Sequence, residues 1–191
     1  MVPVVRPSPV LAGCAALAVV LATGCGTRNG GDVKPDGDAQ AVCSTLLAWR
    51  QRVPADSVRL SAELQAGSLD AQPVKDRYTA FFQAVVGRTD TMLTGIDKAG
   101  APKVDNGAAY ARELRAALTE ARSRLADARA RLSALPAGDL RSYAAGAATI
   151  RDQLGPVFTD IGTALDRLGR SYPDKALNGA FDRQQECTRL G

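Results

Sequence analysis

Four cysteines, at positions 14, 25, 43 and 187, are the side chains of this 191-residue chain with the widest choice of chemistry. A thiol can be modified, bridged, bound to a metal or used as a nucleophile. The chain contains no histidine, which narrows that choice. Ser-His-Asp and Cys-His nucleophile systems are excluded. So are zinc and haem sites that need imidazole, and the Glu-x-x-His pairs of di-iron bundles. No side chain has an unperturbed pKa near neutrality. Carboxylates do not fill the gap. Glu113, Glu120 and Asp127 recur every seven residues, and Asp152 and Asp160 stand eight apart. A hydrolase needs two carboxylates held a few ångströms apart in a cleft, whereas this spacing describes a solvated helix face. The expectation is a chain without catalytic residue, metal or cofactor.

Cys14 and Cys25 lie in or next to an uncharged apolar run, residues 10–22, preceded by Arg6. A membrane-spanning helix needs about 17–25 apolar residues, so this run is short for a permanent anchor. It fits the apolar region of a secretion signal, about 7–15 residues long. A lipoprotein signal ends with small residues before a cysteine whose thiol is alkylated by diacylglycerol. Leu11-Ala12-Gly13-Cys14 has the better four-letter pattern, but Pro3, Pro7 and Pro9 precede it and no apolar region does. Ala22-Thr23-Gly24-Cys25 has Ala where Leu is usual, yet it follows the whole apolar run and precedes a polar stretch. Cys25 is therefore the expected lipidation site, with residues 1–24 as the signal peptide.

Residues 26–38, "GTRNGGDVKPDGD", are glycine-rich and polar. They read as a flexible tether after Cys25, with an average reach of roughly 20 Å. Residues 39–191 remain as one domain, long enough to bury a core. The formal net charge of +4 is too weak and too dispersed to suggest nucleic acid. Arginine greatly outnumbers lysine, and Ala and Gly are abundant, a usage typical of a GC-rich genome. Together with the signal around Cys25, the tether and the pattern below, the chain resembles small helical envelope lipoproteins of actinobacteria. That resemblance implies a domain anchored through a lipid on the extracytoplasmic face of the cell membrane and no particular activity.

Outside the plasma membrane thiols tend to oxidise, so Cys43 and Cys187, near the two ends of the body, are expected to form a disulfide. No Cys-x-x-Cys spacing argues for a redox or metal pair.

The elements that must position these residues are helical. Val42, Leu46, Trp49 and Val53 share one face of a helix over residues 39–53, which Pro54 is expected to stop, with Asp38 as its N-cap. A short helix follows over 56–66. A second long helix starts near Asp70, with Pro73 in its first turn and a stripe from Val74 through Tyr78, Phe81, Val85, Thr89 and Met92 to Ile96. Phe82 falls beside that stripe. The third helix, from about Asn106, carries a heptad run, Leu114, Leu118, Ala121, Leu125, Ala128, Leu132 and Leu135. The fourth, over 139–170, keeps the same spacing from Tyr143 to Leu168 and holds Gly155-Pro156 in its middle, where a kink or a split is expected. A last helix over 174–190 carries Cys187. No segment alternates as a strand does. The predicted fold is all-α: an up-and-down antiparallel bundle of four main helices plus short ones, closed by one disulfide.

Two features of that bundle invite a binding role. Arg115, Arg122 and Arg129 recur every seven residues, flanked by Arg124 and Arg131. They form either a basic groove for anionic headgroups or wall polymer, or a set of stems laid over the seam edges. Trp49, Tyr78, Phe82 and Phe158 form either plain core or the lining of an apolar pocket beside Gly155-Pro156. The expected function is a membrane-anchored, non-enzymatic interaction or scaffold module that meets an envelope protein or the wall. The alternative is a carrier or sensor of a lipid-like ligand held between helices.

Overall fold

A computed structural model of the chain describes residues 33–67 and 70–190. Cys14, Cys25 and most of the tether lie outside the described residues. Four long helices run in chain order: α1 (Pro35–Ala66), α2 (Ala71–Ala99), α3 (Gly107–Ala134) and α4 (Leu140–Ser171). Two short ones follow, α5 (Lys175–Arg183) and α6 (Gln185–Thr188). No strand forms among the described residues, and no helix there is long and apolar enough to cross a membrane.

The long helices bury most of the stripe that their periodicity announces. On α3 the heptad residues from Leu114 to Leu132 are all buried, while Leu135 falls at the C-cap and is half-buried. On α4 Tyr143, Ala147, Ile150, Leu154, Val157, Ile161 and Leu168 are buried, with Ala164 rather than Leu165 completing the row. Asp139 caps α4 by accepting from the Ser142 N–H at 2.8 Å. Asp174 caps α5 by accepting from the N–H groups of Ala176 and Leu177. Such caps satisfy amide donors that the first turn leaves free.

Both internal prolines depart from expectation. Pro54 does not stop the first helix, because α1 is continuous from Pro35 to Ala66 and absorbs the segment expected as a separate short helix. Pro156 does not split α4. A proline inside a helix costs about 3 kcal/mol, chiefly the lost bond to the carbonyl four residues back. Those carbonyls belong to Arg50 and Asp152, both exposed, so water can satisfy them. Meanwhile the apolar row continues through each proline: Trp49, Val53 and Leu60 on α1, Leu154, Val157 and Ile161 on α4. Burying each such side chain is worth about 1.5–3 kcal/mol, so the row outweighs the break. Helix α1 also begins earlier than its pattern implies. Lys34 holds the cap position, and Asp38 sits buried inside the first turn instead of capping it. The last helix is divided at Gln184 into α5 and α6.

Consecutive long helices pack side by side: α1 on α2, α2 on α3, α3 on α4. Two glycines permit close approach. A Cβ on Gly95 of α2 would meet Thr45 of α1 at 2.9 Å, and one on Gly107 would overlap the Pro102 carbonyl oxygen. The ring of helices is not completed in the usual way. The backbones of α1 and α4 do not pack along each other, and α5 and α6 fold back onto α1 instead. The Cys43–Cys187 disulfide, with Cα atoms 5.0 Å apart, fastens α6 to the first half of α1. Arg183 of α5 pairs with Asp36 at 2.7 Å, and Phe181 meets Tyr110 of α3 at a ring-centroid distance of 6.3 Å. The closing elements therefore cover the early part of α1. The seam beyond Trp49 stays open.

Candidate functional site

The open seam is an apolar groove of about 590 Å³. One wall is α1, with Trp49, Val53, Pro54 and Val58. The other is α4, with Leu154, Gly155 and Phe158. Phe81, Phe82 and Val85 of α2 and Leu125 of α3 form the floor. Val58, 71% exposed, and Phe158, 46% exposed, are the large apolar side chains left open to solvent among the described residues. Both stand in this groove. Exposed apolar side chains gathered in one groove make it a candidate interaction surface.

The position of Trp49 is fixed from two sides. Its indole N–H donates to the Thr89 hydroxyl at 3.0 Å, and that hydroxyl donates to the Val85 carbonyl at 2.9 Å. Thr89 is fully buried, so this chain of bonds orients the indole in a dry core where an unpartnered N–H would be costly. Across the seam the Trp49 and Phe158 rings lie 5.6 Å apart. Phe81 and Phe82 meet edge to face at 5.2 Å. The charged residues lining the groove are Arg50 and Arg151, and no carboxylate lines it. Arg50 donates to the Leu190 carbonyl. Arg151 meets the adjacent Asp152 at 2.9 Å, and both side chains are largely exposed.

Trp49, Phe82 and Phe158 are thus brought together as the pocket expectation requires, while Tyr78 is not. Its ring faces Tyr143 at 6.3 Å, away from the groove. Phe82 is buried and Phe81 half-buried, the reverse of their places in the periodic stripe. The stripe assumes a single partner surface, whereas α2 packs against both α1 and α3 and so buries a wider face that takes in Phe82. Val58, Arg50 and Arg151 carry no site expectation in the sequence, whereas Phe81 belongs to the aromatic group on α2 that sequence offers as core or pocket lining. Val58 carries a usable signal: it is a large apolar residue off the buried row of a long amphipathic helix.

The arginines of α3 are the counter-example. Arg115 pairs with Asp97, Arg122 with Asp90 and Arg129 with Gln83, all on α2. On the other flank Arg124 pairs with Asp160 and Arg131 with Gln153, both on α4. The five side chains lace α3 to its neighbours. Arg115 holds the Asp97 carboxyl below its usual range, chiefly through the hydrogen bond. Among the acids, Glu120 and Asp160 share Arg124 and line one groove of about 230 Å³ with Arg167, Asp152 pairs with Arg151, and Glu113 accepts from the Tyr172 hydroxyl at 2.6 Å. No group of three or more potential metal ligands gathers among the described residues.

Two buried acids have opposite settings. Asp56 takes two hydrogen bonds from Arg88, one at 2.9 Å, and these hold its carboxyl below the usual range despite burial. Asp38 is 1% exposed, and its Oδ2 has no partner. Burial pushes its pKa up to about 6. Searches against protein-family models, curated proteins and solved structures find no match to this chain.

Proposed function

We propose that this chain is an extracytoplasmic lipoprotein, anchored through Cys25, whose helical domain is a non-enzymatic binding module of the cell envelope. The observation that carries the binding role is the open apolar seam between α1 and α4, with Val58 and Phe158 exposed in it. The anchor rests on the sequence around Cys25, an uncharged apolar run ending in Ala22-Thr23-Gly24-Cys25. Membrane attachment and binding are separate parts of the reading, and each has its own test.

Two occupants suit the seam: a protein or wall partner that lays a surface across it, and a lipid-like ligand that enters it. The second gains from the groove's shape. Its volume lies within the range of about 300–1,000 Å³ common to small-molecule sites, and its lining is mostly apolar with a few polar groups at the edge.

Attachment is tested by Cys25→Ser or globomycin treatment, which should move the protein out of the membrane fraction. Unchanged fractionation would remove the anchor. Binding is tested by photocrosslinking from position 58 in intact cells. A crosslink to a protein partner or to a lipid supports the module. Absence of any adduct at position 58, where a control probe on the outer face of α3 behaves alike, would remove it.

A further inference from the structure

We infer that the α1–α4 groove takes a single-chain anionic amphiphile, a long-chain carboxylate, with its tail along the seam and its head at Arg151. This rests on the reading of the groove as a binding site and goes further by naming the ligand class and its orientation.

Direction comes from the topology. Helices α1 and α4 are antiparallel in an up-and-down bundle, and Trp49 meets Phe158 across the seam. Moving from Phe158 back to Arg151 on α4 therefore runs the same way as moving from Trp49 toward Val58 on α1. Seven helical residues cover roughly 10 Å. The groove has a tail end at Trp49 and Phe158 and a head end at Arg151, Ser57 and Val58. The tail end is stopped: Arg50 there donates to the Leu190 carbonyl, so the returning chain end stands across it. The head end opens to solvent, where Arg151 is 75% exposed.

Charge selects the head. The groove's two charged lining residues are both cationic. Arg50 is engaged at the stopped end. Arg151 is engaged only with its neighbour Asp152, and an exposed adjacent pair contributes little, so it yields readily to a better partner. A carboxylate accepts two parallel bonds from a guanidinium, a stronger contact than the pair it replaces. A cationic head would meet repulsion. A neutral one would leave the guanidinium unused.

Gly155 gives the test of location. It lies one turn from both Arg151 and Phe158 on the same face of α4. A Cβ built there meets nothing within 4 Å beyond its chain neighbours, so the space over it belongs to the groove. Gly155→Leu projects a side chain into that space, and its Cβ must also clear the ring of Pro156, the next residue. Trp49 is the chain's single tryptophan, so intrinsic fluorescence reads the groove directly.

The experiment titrates the purified protein with sub-micellar dodecanoate and, in parallel, with dodecyltrimethylammonium, which has the same tail and the opposite head. The expected result is a saturable change in Trp49 emission with dodecanoate, with binding weakened about tenfold in Arg151→Gln, the loss of one charge-assisted contact. Binding should be lost in Gly155→Leu, whose melting falls because of the crowding with Pro156, and also in Ser57→Leu, which blocks the exposed α1 wall away from any proline and should melt like the parent. Equal affinity for the two amphiphiles, or an unchanged Arg151→Gln, overturns the choice of an anionic head and leaves the groove reading standing. Full binding by Gly155→Leu overturns the location. No saturable response to dodecanoate overturns the proposal, and the position-58 crosslink still decides whether the seam docks a protein. Self-association that hides Trp49 and disappears in Gly155→Leu makes a second copy of the chain the occupant and overturns it equally.

Discussion

The indole of Trp49 and the ring of Phe158 meet at 5.6 Å across a seam where the backbones of α1 and α4 do not otherwise pack together. The two rings do different work. Trp49 is 7% exposed and tied through Thr89 to α2, so it belongs to the core. Phe158 is 46% exposed and stands over it as a partial cover. Phe158→Ala should lower stability by only about 1 kcal/mol, since the ring is half in water and loses one aromatic contact. Its larger effect should be optical. With the cover gone, Trp49 emission should shift to longer wavelength. A loss of several kcal/mol in a denaturant melt, or an unshifted spectrum, would contradict this division of roles.

The Cys43–Cys187 bond spans 144 residues of sequence and holds α6 on α1. In the chain-entropy model a loop of this length is worth on the order of 4–5 kcal/mol, an upper estimate. The polar ties between the chain end and α1 are Arg183–Asp36, Gln184 to the Asp36 carbonyl and the Arg50 contact to Leu190, all exposed. Exposed pairs contribute about 0–1 kcal/mol each, too little to replace the bridge. The double variant Cys43→Ser/Cys187→Ser should therefore melt well below the parent. Hydrogen exchange should speed up first at residues 185–190, with α2 and α3 protected. Uniform loss of protection across all four long helices would mean that the disulfide supports the whole bundle rather than its closing end.

These closing contacts mark the limit of what periodicity reveals. The heptad row of α3 and the 4-3 row of α4 are each a local repeat, and one face of a helix must be buried whatever it meets. That is enough to expect four antiparallel helices and a bridged pair of ends. Which faces meet is a different matter. Nothing in the spacing of Leu177 or Phe181 says that the last helices return to α1 and keep α4 from it. The same ignorance affected the prolines. A local rule stops α1 at Pro54, and only the burial of Trp49, Val53 and Leu60 together overrides it. The groove followed in part: Trp49, Phe82 and Phe158 are legible as aromatics near Gly155, but Tyr78 belongs to another packing layer with Tyr143. Arg151 gave no signal at all, because a surface arginine on a helix has no distinguishing pattern.

Asp56 and Arg88 form a pair whose two halves are unequally placed. The Asp56 side chain is 6% exposed and that of Arg88 28%. Removing Arg88 leaves the buried carboxylate with only the longer 3.6 Å contact to Arg59, whereas removing the acid leaves an arginine that can turn outward. Arg88→Met should cost about 2–3 kcal/mol and Asp56→Asn about 1 kcal/mol. The folded pKa of Asp56 is depressed, so its contribution is present above the unfolded carboxyl pKa and is lost as pH falls through the folded value. The acid limb of the stability curve should therefore flatten in Asp56→Asn. Equal costs for the two variants in chemical denaturation would rule out the asymmetry.

Asp38 has the opposite sign. Its carboxyl is buried in the first turn of α1, its Oδ2 lacks a partner, and its pKa stands at about 6. The neighbouring phenol of Tyr110 is raised in turn, first by its own burial and then by the charge on Asp38. The folded state thus holds a proton that the unfolded chain has already released. Between the unfolded pKa of 3.8 and about 6 the native form binds more protons, so stability falls as pH rises through that window and is level above it. The full difference is about 3 kcal/mol, from 1.36 kcal/mol per pKa unit. Asp38→Asn keeps the shape and removes the titration. It should be more stable than the parent at pH 7, with a gap that closes on going down to pH 4. Unfolding curves of the two proteins measured across that range decide the point. A constant gap between them would mean that Asp38 keeps its charge in the folded state, and that water or an unseen partner reaches Oδ2.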